Sequence, residues 1–182
     1  LPQPGRSTGL PSDIPELGLF RIALVEPEIP PNVGAVSRTC AAAGCPLYLV
    51  GHIGFREDHP ARRRAGLDYW DLVDKHRVAS IEEMLSAYPK AGAHFLTKKA
   101  EKTIYEVDFQ KGDFLVFGRE STGFSREVLE RYRQRLCRIP MRPGIRSLNL
   151  STSVGVALYE AVRQVCYHRG MKRSTERTGR ER

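Results

Sequence analysis

The chain has 182 residues, of which 41% are hydrophobic and 27% charged, a balance that suits one globular domain and excludes a disordered, collagen-like or fibrous chain. No stretch approaches the roughly 18 to 20 apolar residues needed to cross a bilayer, and Leu1-Pro2-Gln3-Pro4 does not open a charged-then-apolar secretory leader, so a soluble cytoplasmic protein is expected. Lys and Arg number 29 against 21 Asp and Glu, a net charge of +8 that favours a polyanionic partner.

Residues 1–19, rich in Pro, Gly and Ser, read as a flexible N-terminal tail. An apolar run at 21–25 predicts the first strand. It is followed by Glu26-Pro27-Glu28-Ile29-Pro30-Pro31-Asn32-Val33-Gly34-Ala35-Val36-Ser37-Arg38-Thr39, where paired prolines fix the backbone and Asn32 is expected to cap a helix over 33–43. Gly44 and Pro46 then stop that helix. Asn32, Ser37 and Arg38 suit an anion near a helix start, or simply a capped helix with an exposed arginine. Further strands are predicted at 47–50, 94–97, 114–117 and 136–139. Most are continuous apolar runs, which are usually buried on both faces, so the expected class is α/β with a largely parallel sheet flanked by helices.

Ser80 and Glu83 form a capping box for a helix over 81–87. After the 114–117 strand comes Phe117-Gly118-Arg119-Glu120-Ser121-Thr122-Gly123-Phe124, which has the glycine spacing of a phosphate loop but Phe124-Ser125 where Lys-Ser/Thr is required. Triphosphate chemistry is excluded, and no dinucleotide fingerprint follows any strand. What remains is a bend allowing close approach of a ligand, or a plain turn. Ser125 caps a third helix. The last loop, Ile139-Pro140-Met141-Arg142-Pro143-Gly144-Ile145-Arg146-Ser147-Leu148-Asn149-Leu150-Ser151, could hold a phosphate or ribose, although Ser147 and Asn149 also suit capping of the final helix, expected over 149–168. There Leu150, Val154, Ala157, Leu158, Ala161, Val162 and Val165 form an apolar stripe. One domain, 20–168, and a basic tail, 169–182, complete the organisation. Cys40, Cys45, Cys137 and Cys166 lack zinc-site spacing and read as buried thiols in a reducing cytoplasm, so no metal is expected.

Taken in order, the three loops resemble the three motifs of the knotted SPOUT class of RNA methyltransferases. Asn32, Gly34 and Arg38 resemble N-x-G-x-x-x-R; Phe117, Gly118, Glu120 and Gly123 resemble F-G-x-E-x-x-G; and Ile139-Pro140-Met141 with Arg146-Ser147-Leu148-Asn149-Leu150-Ser151 is similar to the element that completes the cofactor pocket. The phrases Glu26-Pro27-Glu28-Ile29-Pro30-Pro31-Asn32 and Arg64-Ala65-Gly66-Leu67-Asp68-Tyr69-Trp70 resemble the subgroup that methylates the ribose 2′-hydroxyl of the tRNA wobble nucleotide, position 34, cytidine or uridine.

The resemblance, over about residues 21–167, implies a deep C-terminal trefoil knot, S-adenosylmethionine as methyl donor with S-adenosylhomocysteine as product, a homodimer, and the tRNA anticodon region as partner. It implies cofactor contacts from Leu96, Thr97, Gly118, Glu120, Ile139, Met141, Ser147 and Leu148. Arg38 is the expected catalytic group, a guanidinium too weakly acidic to serve as a base and therefore suited to holding a developing alkoxide; Asn32, Glu120, Ser147 and Asn149 would orient it, the ribose or the loop. Arg62-Arg63-Arg64, Lys98, Lys99, Lys102, Arg131, Arg133, Arg135, Arg138, Arg142 and Arg146 are candidate phosphate partners or ordinary solvated charges. Tyr69 and Trp70 suit stacking on a base or burial in the core. The alternatives are 2′-O-methylation of another RNA site and a catalytically silent RNA-binding protein on the same scaffold.

Overall fold

A computed structural model describes residues 18–53 and 69–177, with side chains as far as Cys166. The segment Arg62-Arg63-Arg64 and the phrase from Arg64 to Asp68 lie outside the described residues. Six strands, β1 (Arg21–Val25), β2 (Leu47–Val50), β3 (Lys75–Val78), β4 (Ala93–Leu96), β5 (Phe114–Phe117) and β6 (Leu136–Cys137), form one sheet in the order β3-β2-β1-β5-β4-β6. Every pairing is parallel. Among the described residues four α-helices accompany it: α1 (Pro30–Ala43), α2 (Ile81–Ser86), α3 (Arg126–Arg131) and α4 (Leu150–Arg177).

The pleat divides the apolar runs between two cores. Ile22, Leu24, Leu47, Leu49, Leu115 and Phe117 face α1 and α4, while Ala23, Tyr48, Val50, Phe95, Phe114 and Val116 face the side of α2 and α3. Every residue of β2 and β5 is buried, as both-face coverage requires. The stripe on the final helix is core rather than surface: Leu150, Val154, Ala157, Leu158, Ala161 and Val162 are each at most 8% exposed. Cys40, Cys45 and Cys137 are buried too, and burial pushes the Cys137 thiol up to about 12.

Several boundaries differ from expectation. Strand β3, Lys-His-Arg-Val, carries no apolar run because it lies at the sheet edge. The expected strand at 136–139 reduces to its first two residues. Leu19, assigned to the tail, is 3% exposed, and its carbonyl accepts from the Gly112 amide at 2.7 Å. Helix α4 runs on to Arg177, into the segment read as a basic tail.

This topology brings the critical loops together. Strands β1 and β5 are neighbours whose connections leave in opposite directions, β1 toward β2 and β5 toward β6, which opens a crevice at their carboxyl ends. The chain then returns from the edge strand β6 to α4, which packs on α1 and β5 in the middle. That path fits the knotted arrangement. Among the described residues no helix is long and apolar enough to cross a membrane.

Candidate functional site

Helix α1 begins earlier than its sequence suggests. Pro30 and Pro31 occupy the first two helical positions, Ile29 is the N-cap, and no side chain caps the helix. The two prolines lack the N–H groups that a capping oxygen would serve. Asn32 is therefore inside the helix, 8% exposed, and its side chain is available for other bonds.

Those bonds run in one direction. Glu120 accepts from the Asn32 Nδ2 at 3.0 Å and from the backbone amides of Glu28 at 2.9 Å and Ile29 at 3.3 Å. Asn32 Oδ1 accepts from Asn149 Nδ2 at 2.9 Å, and Asn149 Oδ1 accepts from the Ser151 amide at 2.8 Å and the Ser151 hydroxyl at 2.7 Å. A carboxylate only accepts, so Glu120 fixes the orientation of the Asn32 amide, which fixes that of Asn149, which caps α4. Motif residues 88 and 117 positions apart in the chain thus form one relay.

A reciprocal set of contacts joins the same loops. Arg119 Nε lies 2.9 Å from Glu26 Oε2, and the Glu28 carboxylate accepts from the Ser121 amide at 3.0 Å and hydroxyl at 2.9 Å. These two Ser121 bonds hold the Glu28 carboxyl below the usual range. Acids of the first loop reach the second, and the acid of the second reaches back. Glu26 adopts a left-handed φ of 48°, and a Cβ on Gly51 would stand 3.0 Å from the Glu26 side chain. Within the second loop, Arg119 and Gly123 exchange backbone hydrogen bonds, and a Cβ on Gly118 would lie 2.6 Å from the Gly123 carbonyl carbon, so only glycine fits.

Around this framework lies a cavity of about 530 Å³. Leu96, Thr97, Gly118, Glu120, Ile139, Met141, Ser147 and Leu148 all line it, as do Asn32 and Asn149. Lys98 and Lys99 stand exposed at its rim. Its walls are mixed: Leu96, Phe117, Ile139, Met141 and Leu150 are apolar, whereas Thr97, Ser147, Asn149 and Ser153 supply hydroxyls and an amide. Among the described residues no group of three or more His, Cys, Asp or Glu is placed to hold a metal.

The profile of the "SpoU rRNA Methylase family" matches residues 19–159. The chain belongs to this family. Among its SpoU relatives is the tRNA (cytidine(34)-2'-O)-methyltransferase of a Polaromonas species, 48% identical over 150 residues covering 80% of this chain and 91% of the relative. A solved structure described as "Structural insights into the 2-OH methylation of C/U34 on tRNA" is 44% identical, with a TM-score of 0.74 over 80% of this chain and 95% of that one. An AdoMet-bound rRNA methyltransferase from Sinorhizobium meliloti is 25% identical, with a TM-score of 0.68 over 84% of this chain and 58% of that one.

In this SpoU protein Arg38 is the one expected site residue that does not line the cavity. It is exposed on α1 and its guanidinium carbon lies 4.8 Å from the centroid of the Tyr69 ring. Trp70, a candidate stacking platform by sequence, is 3% exposed and belongs to the core. Ser147 lines the cavity, while the capping bonds to α4 come from Asn149. The ties of Glu26 and Glu28 to Arg119 and Ser121 are absent from the sequence reading. Their signal lies in the acidic residues flanking Pro27, on a loop leaving a buried strand.

Proposed function

We propose that this protein transfers a methyl group from S-adenosylmethionine to the ribose 2′-hydroxyl of the wobble nucleotide, cytidine or uridine 34, of tRNA in the cytoplasm. The observation that carries this reading is the convergence of the three motif loops on one cavity through the Glu120–Asn32–Asn149 relay. The names of the 48% identical relative and of the 44% identical solved structure support the reaction and its target. The AdoMet-bound neighbour supports the donor.

The cavity's residues fit that donor. Its volume lies within the roughly 300–1,000 Å³ usual for small-molecule sites. Gly118 lets the 118–123 turn close tightly on itself at one wall of the cavity, and Ser147 and Thr97 offer hydrogen bonds beside the apolar Ile139, Met141 and Leu148. S-adenosylmethionine supplies an electrophilic methyl group on a sulfonium whose charge disappears on transfer, so a poorly hydrating wall favours the reaction. Asn32 and Glu120 have their polar atoms committed to the relay and to the loop amides. Their part is to hold the loops at fixed separation, which supplies the proximity an in-line displacement needs. Arg38 holds the ribose oxygen as it loses its proton, through charge-assisted hydrogen bonds. Lys98 and Lys99 at the rim, with Arg142 and Arg146 on the exposed final loop, draw in the RNA backbone. The working form is a homodimer, a reading supported by Val156 and Tyr159, which remain 39% and 47% exposed on the outer flank of α4.

The test is transfer of labelled methyl from S-adenosylmethionine to bulk tRNA, followed by mapping of the modified nucleotide. Incorporation at position 34 that disappears with Arg38→Ala is expected. Incorporation at another position would assign the enzyme a different RNA site, and none at all would overturn the reading.

A further inference from the structure

Tyr69 and Trp70 are adjacent and have opposite fates. Trp70 is 3% exposed, packs into the core shared with α1, and its carbonyl accepts from Lys75 Nζ, which also bonds the Val73 carbonyl at 3.0 Å and lies 5.1 Å from the Trp70 ring centroid. The short turn Trp70–Leu72 is therefore anchored at its first residue, and the Leu72 amide bonds the Tyr69 carbonyl at 3.1 Å. Tyr69, one residue before, points outward with 38% of its surface exposed, one face lying against the Arg38 guanidinium.

Arg38 itself sits on the exposed side of α1, on a long side chain whose rotamer freedom must be given up before its planar fork can bind an oxygen. A ring held on an anchored turn 4.8 Å from the guanidinium carbon limits that freedom, because a cation is attracted to an aromatic face and a planar guanidinium also stacks on it. The geometry points to Tyr69 as a positioning residue for Arg38: its ring preorganises the guanidinium that meets the ribose oxygen. The inference rests on the role given to Arg38 above, and it assigns Tyr69 no contact with donor or reacting atoms. It does not line the cavity.

The experiment compares Tyr69→Leu, Tyr69→Phe, Arg38→Ala and the Tyr69→Leu/Arg38→Ala double variant of the full chain. It uses single-turnover methyl transfer to tRNA, tRNA Kd, S-adenosylmethionine Kd and the unfolding midpoint. Tyr69→Leu is expected to slow the single-turnover rate about two- to fivefold, the strength of an exposed cation–π contact, and Tyr69→Phe to restore it. Donor affinity stays at its wild-type value in both, the unfolding midpoint of Tyr69→Leu falls by no more than the loss of this one exposed contact allows, and Tyr69→Leu leaves the tRNA Kd of the Arg38→Ala protein unchanged. A wild-type rate for Tyr69→Leu overturns the inference. So does a loss of tRNA affinity that persists in the Arg38→Ala background, which would make the ring a base-stacking surface instead. If Arg38→Ala alone methylates at the wild-type rate, the role of Arg38 fails, an outcome distinct from either result at Tyr69.

Discussion

The direction of the amide relay predicts a variant that should fail and a second substitution that should repair it. Asn32→Asp places a second carboxylate where Asn32 Nδ2 now donates to Glu120 at 3.0 Å. Two carboxylates at that distance do not both ionise; one takes up a proton and then donates the missing hydrogen bond. With an ordinary carboxyl pKa near 4, holding one protonated at pH 7 costs about 4 kcal/mol, and at pH 5 about 1.4 kcal/mol. Glu120→Gln alone must turn its amide toward one backbone N–H and should lose about 1 to 2 kcal/mol. Combined, the two substitutions reverse the first link: the introduced amide at position 120 donates to the introduced carboxylate at position 32, whose other oxygen still accepts from Asn149, and only the long Ile29 contact of 3.3 Å is lost. Urea unfolding of the four proteins at pH 7 and pH 5 reads all of this. The expected order at pH 7 is wild type, then the double variant within about 1 kcal/mol, then Glu120→Gln, and last Asn32→Asp, which recovers most of its deficit at pH 5. An Asn32→Asp protein as stable as wild type at pH 7, or a double variant no better than that single one, would refute the relay.

Two further outcomes are expected. Gly118→Ala puts a Cβ 2.6 Å from the Gly123 carbonyl carbon and 2.8 Å from the Phe124 amide nitrogen, so the loop must shift; calorimetry should show at least tenfold weaker S-adenosylmethionine binding, roughly 1.4 kcal/mol, and unchanged affinity would show that this tight turn does not shape the donor site. At the opposite end of the sheet, burial raises the pKa of Asp113, but bonds from His94 at 2.8 Å and from the Gln110 and Gly92 amides outweigh it and hold the carboxyl below its usual range. Its stabilisation is then complete above the unfolded value near pH 4 and is lost as pH falls through the lower folded value. Acid unfolding followed by circular dichroism should show a shallower acid limb for Asp113→Asn, and an unchanged limb would remove Asp113 from the account.

What the sequence revealed depended on how completely each segment is buried. Strands β1, β2 and β5 fall at the expected residues because full burial demands continuous aliphatic and aromatic runs. Strand β3 escaped because an edge strand half open to water tolerates Lys75, His76 and Arg77. The expected cavity lining came from the family resemblance of three loops, with Leu96 and Thr97 added from the end of β4, whereas the wiring between the loops was not legible. Capping its own helix is the commonest local use of a residue such as Asn32, and only the tertiary approach of Glu120 diverts it. Tyr69 and Trp70 carried equal stacking potential in the sequence, and only packing under α1 separates the buried ring from the one beside Arg38.

The crossed acids between the loops after β1 and β5 also bear on protein engineering. Because Glu26 and Glu28 find their partners at Arg119 and Ser121 while Glu120 finds its own at Glu28, Ile29 and Asn32, neither segment is an independent module. Grafting either segment alone from a distant homologue would strand acidic groups on both sides of the seam, so specificity redesign by loop exchange has to transplant the two together.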